Sequence, residues 1–310
     1  MIQELTSFLI SIMLVAGMVF GWMSLSHSIR IRRVRRLYES LPDEAREQIF
    51  DQINGAGKEV PACTVLVASK LDTQLRSNDN DDVTHSHYGG IPYAEVNDVW
   101  PVLESGSSLP ADFLIQVVLD DSFPSPWANR LVVVFNQHDV DQTVRCYQSP
   151  SVDQFVVMKG GAAPQRPWRL RSIRIPRAPV AENPVAVATE PADGGLLDYD
   201  PVVLLRSVPD LHTKLSQHTT HPADLLAALL APNHCGYGFE LSDIVQTGGT
   251  PVWLHEGIEG IVCDQCGRSM RFLFQFGDLN GGNLLGDSGV CYVFGCDAHP
   301  DQPRGIVQQC

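Results

Sequence analysis

Apolar residues along this chain occur mostly in short runs, and this pattern predicts a mainly β protein of the α+β class. The runs are separated by stretches rich in Gly, Pro, Asn and Asp, as in buried strands joined by turns. Helical spacing is found at residues 39–59 and at Pro222–Leu230. In the first of these segments, Ile49, Phe50 and Ile53 share one face. We predict strands at Val60–Ala68, Phe113–Leu119, Leu131–Phe135, Gln154–Met158, Arg166–Arg177, Phe272–Gln275 and Val290–Phe294.

A different pattern occupies the first residues, where Leu5–Leu25 contains no charged side chain. At about 1.5 Å per residue, a helix of this length reaches roughly 31 Å, which is enough to cross a bilayer core. The alternative is a cleaved signal peptide, but the arginines follow the apolar run instead of preceding it. We therefore expect a single transmembrane helix with its N-terminus outside and the C-terminal body in the cytoplasm. Gly17 and Gly21 have the spacing of a helix-dimer contact, which would give a homodimer.

Two stretches of the chain, residues 88–138 and 247–297, repeat one another at a constant offset of 159. Eight identical residues fall in this register without a gap. Such repetition predicts two similar β-rich halves that pack together. The matched pairs are Gly89 and Gly248, Gly90 and Gly249, Pro92 and Pro251, Phe113 and Phe272, Leu114 and Leu273, Gln116 and Gln275, Val134 and Val293, and Phe135 and Phe294.

The charge of the chain is unevenly distributed. Its net charge is −14, but residues 1–38 hold five Arg and one Glu, so the remainder carries −14 − 4 = −18. A body this acidic repels phosphate backbones, and we expect no nucleic acid among its partners. The cluster of arginines in Arg166–Arg177 is the exception. We favour a strand with arginines on its solvated face, and the alternative is a stripe that binds an anionic ligand or partner.

The four candidate metal ligands lie in, or just after, the second of the two repeated stretches. Cys263 and Cys266 form one Cys-x-x-Cys pair, and Cys296 and His299 form a Cys-x-x-His pair. Together they make a tetrahedral Cys₃His set, which is typical of a closed structural zinc site. Free thiols or a redox pair are the alternatives, with Cys310 as a substitute ligand. The expected reducing compartment favours metal over disulfides.

Several polar residues invite a catalytic or ligand-binding interpretation. Gln116 and Gln275 lie at matched positions in apolar strands, where we expect them to bond buried backbone groups between the two halves, with a shared ligand pocket at the pseudo-twofold axis as the alternative. His85 and His87 are interpreted as part of a solvated loop rather than a metal pair. The residues Gly286-Asp287-Ser288-Gly289 spell a protease tetrapeptide, which we interpret as a turn into a strand.

The motifs of the second stretch, with those of the first, resemble the YwqG-like family of bacterial proteins of unknown function. They are Gly-Gly-x-Pro with a nearby Trp, Phe-Leu-x-Gln, and Gly-Asp-x-Gly before Tyr-x-Phe. The Gly-Gly-x-Pro-x-Trp and Cys-x-x-Cys part is also similar to the zinc domain of programmed cell death protein 2. The resemblance covers roughly residues 88–310. The chain departs from the pattern at Tyr93 and Ala94, where Pro-x-Trp is expected, and at Leu285, where an aromatic residue is expected.

These observations together predict a membrane-anchored binding or scaffold module with a protein partner and a structural zinc. No catalytic residue is assigned, because the sequence offers no acid/base pair, phosphate loop or nucleophile elbow. The alternative is a zinc hydrolase, with His234, His255 or Asp287 beside an open metal position. The predicted segments are an anchor with a basic flank (1–38), a juxtamembrane amphipathic helix (39–59), a first half (60–176), a connector rich in Pro, Ala and Gly (177–201), and a second half with the zinc site (202–310).

Overall fold

The computed structural model shows a β-rich chain with few helices. Three helices and twelve strands are described. The description covers residues 29, 32–33, 36–56, 62–71, 85–103, 108–121, 123–137, 141–148, 155–158, 160–161, 168–176, 204–206, 208–230, 245–248, 251–255, 257–258, 260–277, 284–286 and 289–309.

Eight of the described strands precede helices α2 and α3 in the chain, and the other four follow them. The helices are α1 (Asp43–Ala56), α2 (Leu211–Ser216) and α3 (Pro222–Leu230). The strands are β1 (Ala62–Leu71), β2 (His87–Tyr88), β3 (Tyr93–Glu95), β4 (Asp112–Val118), β5 (Leu131–Asn136), β6 (Asp141–Tyr147), β7 (Phe155–Val157), β8 (Trp168–Pro176), β9 (Val245–Thr247), β10 (Arg271–Gly277), β11 (Val290–Cys296) and β12 (His299–Gln308).

Ten of the described strands form a single antiparallel sheet that closes on itself. The order around the closed sheet is β1-β8-β2-β4-β5-β6-β12-β11-β10-β9, and β9 pairs with β1 to complete it. The remaining strands, β3 and β7, pair with each other. Closure leaves none of the ten strands as an open edge, because each has a neighbour on both sides.

The closed sheet mixes strands from both of the predicted halves. Strand β1 precedes the first repeated stretch, yet it pairs with β9 of the second stretch as well as with β8. On the opposite side, β6 pairs with β12 through Gln142 and Gly305. The halves therefore share one sheet, and the segment boundaries given above remain predictions.

Strands β4 and β5 match β10 and β11 at the offset found in the sequence. Adding 159 to Asp112–Val118 gives Arg271–Gly277, the bounds of β10. The pairing of Phe113 with Phe135 in the first hairpin corresponds to that of Phe272 with Phe294 in the second, and both hairpins carry a register shift just after this pair. Phe113 and Phe272 are both buried, as the repeat predicts, with 0% and 8% of their surfaces exposed.

Both faces of these central strands are covered, which explains why their sequences are apolar without clear alternation. One cluster of buried residues contains side chains from β2, β4, β5, β8, β9, β10, β11 and β12 and fills the space that the closed sheet surrounds. Alternate residues, such as Phe113 and Phe135, point the other way into a cluster with Tyr93 and Trp100. In the second hairpin, Phe272, Tyr292 and Phe294 form the corresponding outer cluster, with Trp253 packed against it.

The helices form a separate cluster against one side of the sheet. Ile49, Phe50 and Ile53 of α1 are buried, as the spacing predicts, and they pack with leucines of α2 and α3. Helix α1 lies against β8, and α3 lies against β1. The predicted bounds of α3 agree with the structure, and α1 lies within the predicted segment 39–59.

No helix in the described part of the chain combines the length and the apolar character that crossing a bilayer requires. The longest, α1, has 14 residues, spans about 21 Å at the usual helical rise, and begins with Asp43 and Glu44. The predicted membrane segment Leu5–Leu25, with Gly17 and Gly21, lies outside the described residues. We therefore correct the prediction of a single-pass membrane protein with an outside N-terminus and a cytoplasmic body, which this finding contradicts.

Candidate metal centre

The first ligand pair, Cys263 and Cys266, lies in a tight turn just before β10. Val262 and Ser269 pair across this turn, and the backbone N–H of Cys263 donates to the carbonyl of Arg268 at 2.9 Å. Gly267 has a φ of +66° and donates its N–H to the carbonyl of Cys263 at 2.8 Å. A residue without a side chain suits this left-handed conformation, which folds the two thiols back toward one another.

The second ligand pair lies where β11 turns into β12. Cys296 and His299 are directly paired across a hairpin whose turn is Asp297-Ala298. Strand β11 is also the antiparallel neighbour of β10, so the two turns meet at the same end of the sheet. The prediction that the intervening strands bring the ligand pairs together is confirmed.

The four side chains form a compact group whose ligand atoms all lie within 4.8 Å of one another. Cys263 Sγ is 3.4 Å from His299 Nδ1, and Cys296 Sγ is 3.8 Å from the same nitrogen. The Sγ atoms of Cys266 and Cys296 are 3.6 Å apart. In tetrahedral zinc, bonds of about 2.3 Å to sulfur and about 2.0 Å to nitrogen separate two sulfurs by about 3.8 Å and a sulfur from a nitrogen by about 3.6 Å. These three separations are therefore close to those around a single tetrahedral ion, and the other three are no longer than 4.8 Å.

The surroundings of two of the three thiols favour the negative charge that a metal ligand must carry. Burial raises the pKa of Cys263, but backbone N–H groups at Cys266 and Gln265 lower it further, so its pKa lies below the usual value. The pKa of Cys296 is also lowered, because N–H groups at Ala298 and His299 outweigh its burial. The N–H of Arg268 lowers the pKa of Cys266, yet burial and the neighbouring sulfurs raise it overall. The accumulated charge of three thiolates is what a divalent cation neutralises.

One residue between the ligands, Asp297, connects the metal group to the rest of the sheet. Its Oδ1 accepts a hydrogen bond from the indole Nε1 of Trp127 at 2.7 Å. The guanidinium of Arg271, the first residue of β10, donates to both carboxylate oxygens, at 3.2 and 2.8 Å. These donors hold the pKa of Asp297 below its usual value, with the bond from Arg271 the largest cause. Asp297 therefore remains ionised at neutral pH.

The sequence did not reveal the partners of Asp297, because they are distant in the chain. Trp127 precedes it by 170 residues. The sequence contained one local signal of this role, an acidic residue between Cys296 and His299. A carboxylate so close to two ligands can form hydrogen bonds that support them.

The matched glutamines bond backbone groups, as the sequence predicts, but the prediction that they do so between the two halves is wrong. Gln116 Oε1 accepts the backbone N–H of Tyr93 at 3.0 Å, and its Nε2 donates to the carbonyl of His85. Gln275 Oε1 likewise accepts the N–H of Val252 at 2.8 Å. Tyr93 and Val252 are themselves related by the offset of 159. Each amide thus fastens the covering loop of its own half, rather than joining the two halves.

The interpretation of His85 and His87 as a solvated loop is wrong. His87 is fully buried in β2, where its Nδ1 lies 3.1 Å from the carbonyl of Gly89. At the equivalent place in the second half, Gln246 Nε2 donates to the carbonyl of Gly248. An imidazole and an amide thus make the same local contact, and among the described residues neither histidine belongs to the metal group.

The other candidate residues do not join the metal group where the structure describes them. His255 Nε2 lies 2.6 Å from the carbonyl oxygen of Gln309. Cys146 and Cys291 are free thiols, and burial raises the pKa of Cys146 to about 11 and that of Cys291 still further. The remaining candidates lie outside the described residues: Cys63 (its side chain), His234, Cys235, Asp287, Ser288 and Cys310.

Comparison with known proteins does not add to this description. No protein-family model and no curated protein matches the chain. The assignment of a metal centre therefore rests on its geometry. The expected reducing compartment depended on the localisation corrected above, so it no longer supports metal over disulfides.

Proposed function

We propose that the protein is a binding module of the YwqG-like type, stabilised by a structural zinc at Cys263, Cys266, Cys296 and His299. The observation that carries this proposal is the compact group of four donors. Three sulfurs and one nitrogen at tetrahedral separations suit Zn²⁺, and such a set leaves no position for a reacting water. The YwqG-like assignment rests on the motifs quoted from the sequence.

The two halves are proposed to be copies of one ancestral unit. Matching strand bounds, matching register shifts and the matched contacts of Gln116 and Gln275 support this origin. Only one copy carries the four candidate metal ligands. The zinc is therefore a stabilising addition to one half, and the shared architecture serves another purpose.

A surface in the first half is suited to a protein partner. Four apolar side chains between residues 96 and 109 are each more than half exposed. Exposed apolar patches of this kind mark interaction surfaces in soluble domains. We call this surface the apolar patch; it consists of Val96, Val99, Val102 and Leu109, with 53, 71, 54 and 63% exposure.

The metal proposal is tested by X-ray absorption on the full chain purified with zinc. We expect one zinc per chain, bound by three sulfurs at about 2.3 Å and one nitrogen at about 2.0 Å. Three protein ligands with one additional oxygen would instead support the zinc hydrolase. A chain that binds no zinc would contradict the structural metal.

The binding proposal is tested by replacing the most exposed residue of the apolar patch, Val99→Asp. We expect a fully folded variant that loses partners cross-linked by the unmodified chain, because a charge at this point opposes burial against an apolar surface. Ile29→Asp is a matched control, since Ile29 is also more than half exposed but lies outside the first half. An unchanged cross-linking pattern in the Val99 variant would contradict a role for the patch.

A further inference from the structure

We propose that Asp297 is a positioning residue that couples metal binding to the packing of residues 123–130 of the first half. This inference rests on the proposed metal site. It concerns the affinity of the site for zinc. We infer that this affinity depends in part on Trp127, a residue distant in sequence from every ligand.

Trp127 contacts the ligand hairpin on both sides of Cys296. Its indole N–H donates to Asp297, the residue after Cys296, at 2.7 Å. Its ring lies against Gly295, the residue before Cys296, so closely that a Cβ at position 295 would lie 2.1 Å from the ring. One side chain therefore fixes the backbone that presents Cys296 and begins the turn to His299.

Trp127 is itself held firmly in the first half. Its side chain is fully buried and belongs to the cluster inside the closed sheet. Its backbone N–H donates to the carbonyl of Pro124 at 2.9 Å, and the guanidinium of Arg130 lies 5.9 Å from its ring centroid. The ligand hairpin is thereby attached to a part of the sheet that provides none of the four ligands.

The two donors to Asp297 contribute differently. Arg271 and Asp297 have side chains that are 44% and 48% exposed, and an ion pair of this kind contributes little in water. The indole N–H is buried and has a fixed direction, so its bond determines where the carboxylate lies. Groups that support metal ligands in this way typically change metal affinity by about 10- to 100-fold when removed.

The coupling must act in both directions. If packing of Trp127 strengthens zinc binding by a given factor, zinc binding stabilises that packing by the same factor. Zinc is therefore expected to protect residues 123–130 from local opening, even though none of them is a ligand.

The experiment compares zinc dissociation constants of full-length variants by competition with a chelator under reducing conditions. Trp127→Phe keeps an aromatic side chain but replaces the indole, and with it the N–H, by a phenyl ring, and we expect it to weaken zinc binding about 10-fold. Asp297→Ala should weaken it by a similar or larger factor, and the double variant should show little further loss. Trp100→Phe is the matched control. Trp100 is also buried and donates its indole N–H, to Ala111 at 2.7 Å, but it has no contact with Asp297 among those described.

Amide hydrogen exchange of the unmodified chain provides a second measurement that does not depend on any variant folding. We expect exchange in residues 123–130 to slow at least tenfold when zinc is added. Equal zinc affinities for the unmodified chain, Trp127→Phe and Trp100→Phe, or exchange unaffected by zinc, would overturn the coupling alone. Failure of the unmodified chain to bind zinc would overturn the metal site as well.

Discussion

Replacing Cys266 with serine is expected to abolish stoichiometric zinc binding and to lower the melting temperature by more than about 10 °C. Structural zinc sites bind with roughly 10–16 kcal/mol in small zinc domains, and this binding stabilises only the folded state. Loss of even about 5 kcal/mol corresponds to about 10–20 °C in a domain of this size. Cys266 suits the test because it is the least buried of the three cysteines, so its substitution disturbs packing least.

The measurement is metal content by mass spectrometry together with calorimetric unfolding of the full chain. Cys146→Ser is the control, because Cys146 does not belong to the metal group. It lies in β6, where the guanidinium of Arg130 approaches its sulfur at 3.8 Å. This control variant should retain one zinc, as should Cys310→Ser if Cys310 does not replace a ligand. An unchanged melting temperature in Cys266→Ser would rule out a structural metal. A variant that stays folded but loses a hydrolytic activity would support the zinc hydrolase instead.

Gln116→Leu and Gln275→Leu are expected to destabilise the protein by similar amounts, about 3 kcal/mol each. Each substitution removes the acceptor of a backbone N–H, at Tyr93 or Val252, and a buried donor without a partner costs about 1–3 kcal/mol. Each also removes the donor to a carbonyl oxygen, at His85 or Val252. The two glutamines share no partner, so their effects should add in the double variant.

Denaturant unfolding of the three variants measures these changes in the free energy of unfolding. Gln48→Leu is the control, since Gln48 is exposed on α1 and its substitution should change stability by no more than about 0.5 kcal/mol. A loss below about 1 kcal/mol at only one of the two buried glutamines would contradict their equivalence. Strong non-additivity would show that the two loops are coupled.

The sequence predicted the elements whose evidence is local. Helix α3 and the central strands are predominantly apolar, and the metal ligands lie in two short chelating pairs. Strand β6 was missed because its residues Asp141–Tyr147 include several polar side chains. Strand β12 was missed because Pro300 and Pro303 argue against a central strand. Its pairing with β6 is confined to Gly305 and Ile306, beyond both prolines, which explains how it accommodates them.

The sequence did not predict which distant strands and side chains contact one another. The contact of β1 with β9 and the bond between Trp127 and Asp297 depend on residues far apart in the chain, and no local pattern encodes them. The repeat showed that two similar units exist. It did not show that a strand preceding the first unit joins the second.

The pairing of β1 with a strand of the second half determines when the sheet can form during synthesis. The ribosome delivers β1 before every other described strand and β9 much later, so β1 must wait for its second neighbour until the first half has emerged. Strand β6 must also wait for its second neighbour, because β12 is the last described strand to be synthesised. From the synthesis of β6 until that of β9, a nascent chain therefore carries two unpaired strand edges, and such edges associate readily with other chains. The sheet closes only when β12 arrives, which also delivers His299, the last of the four metal ligands.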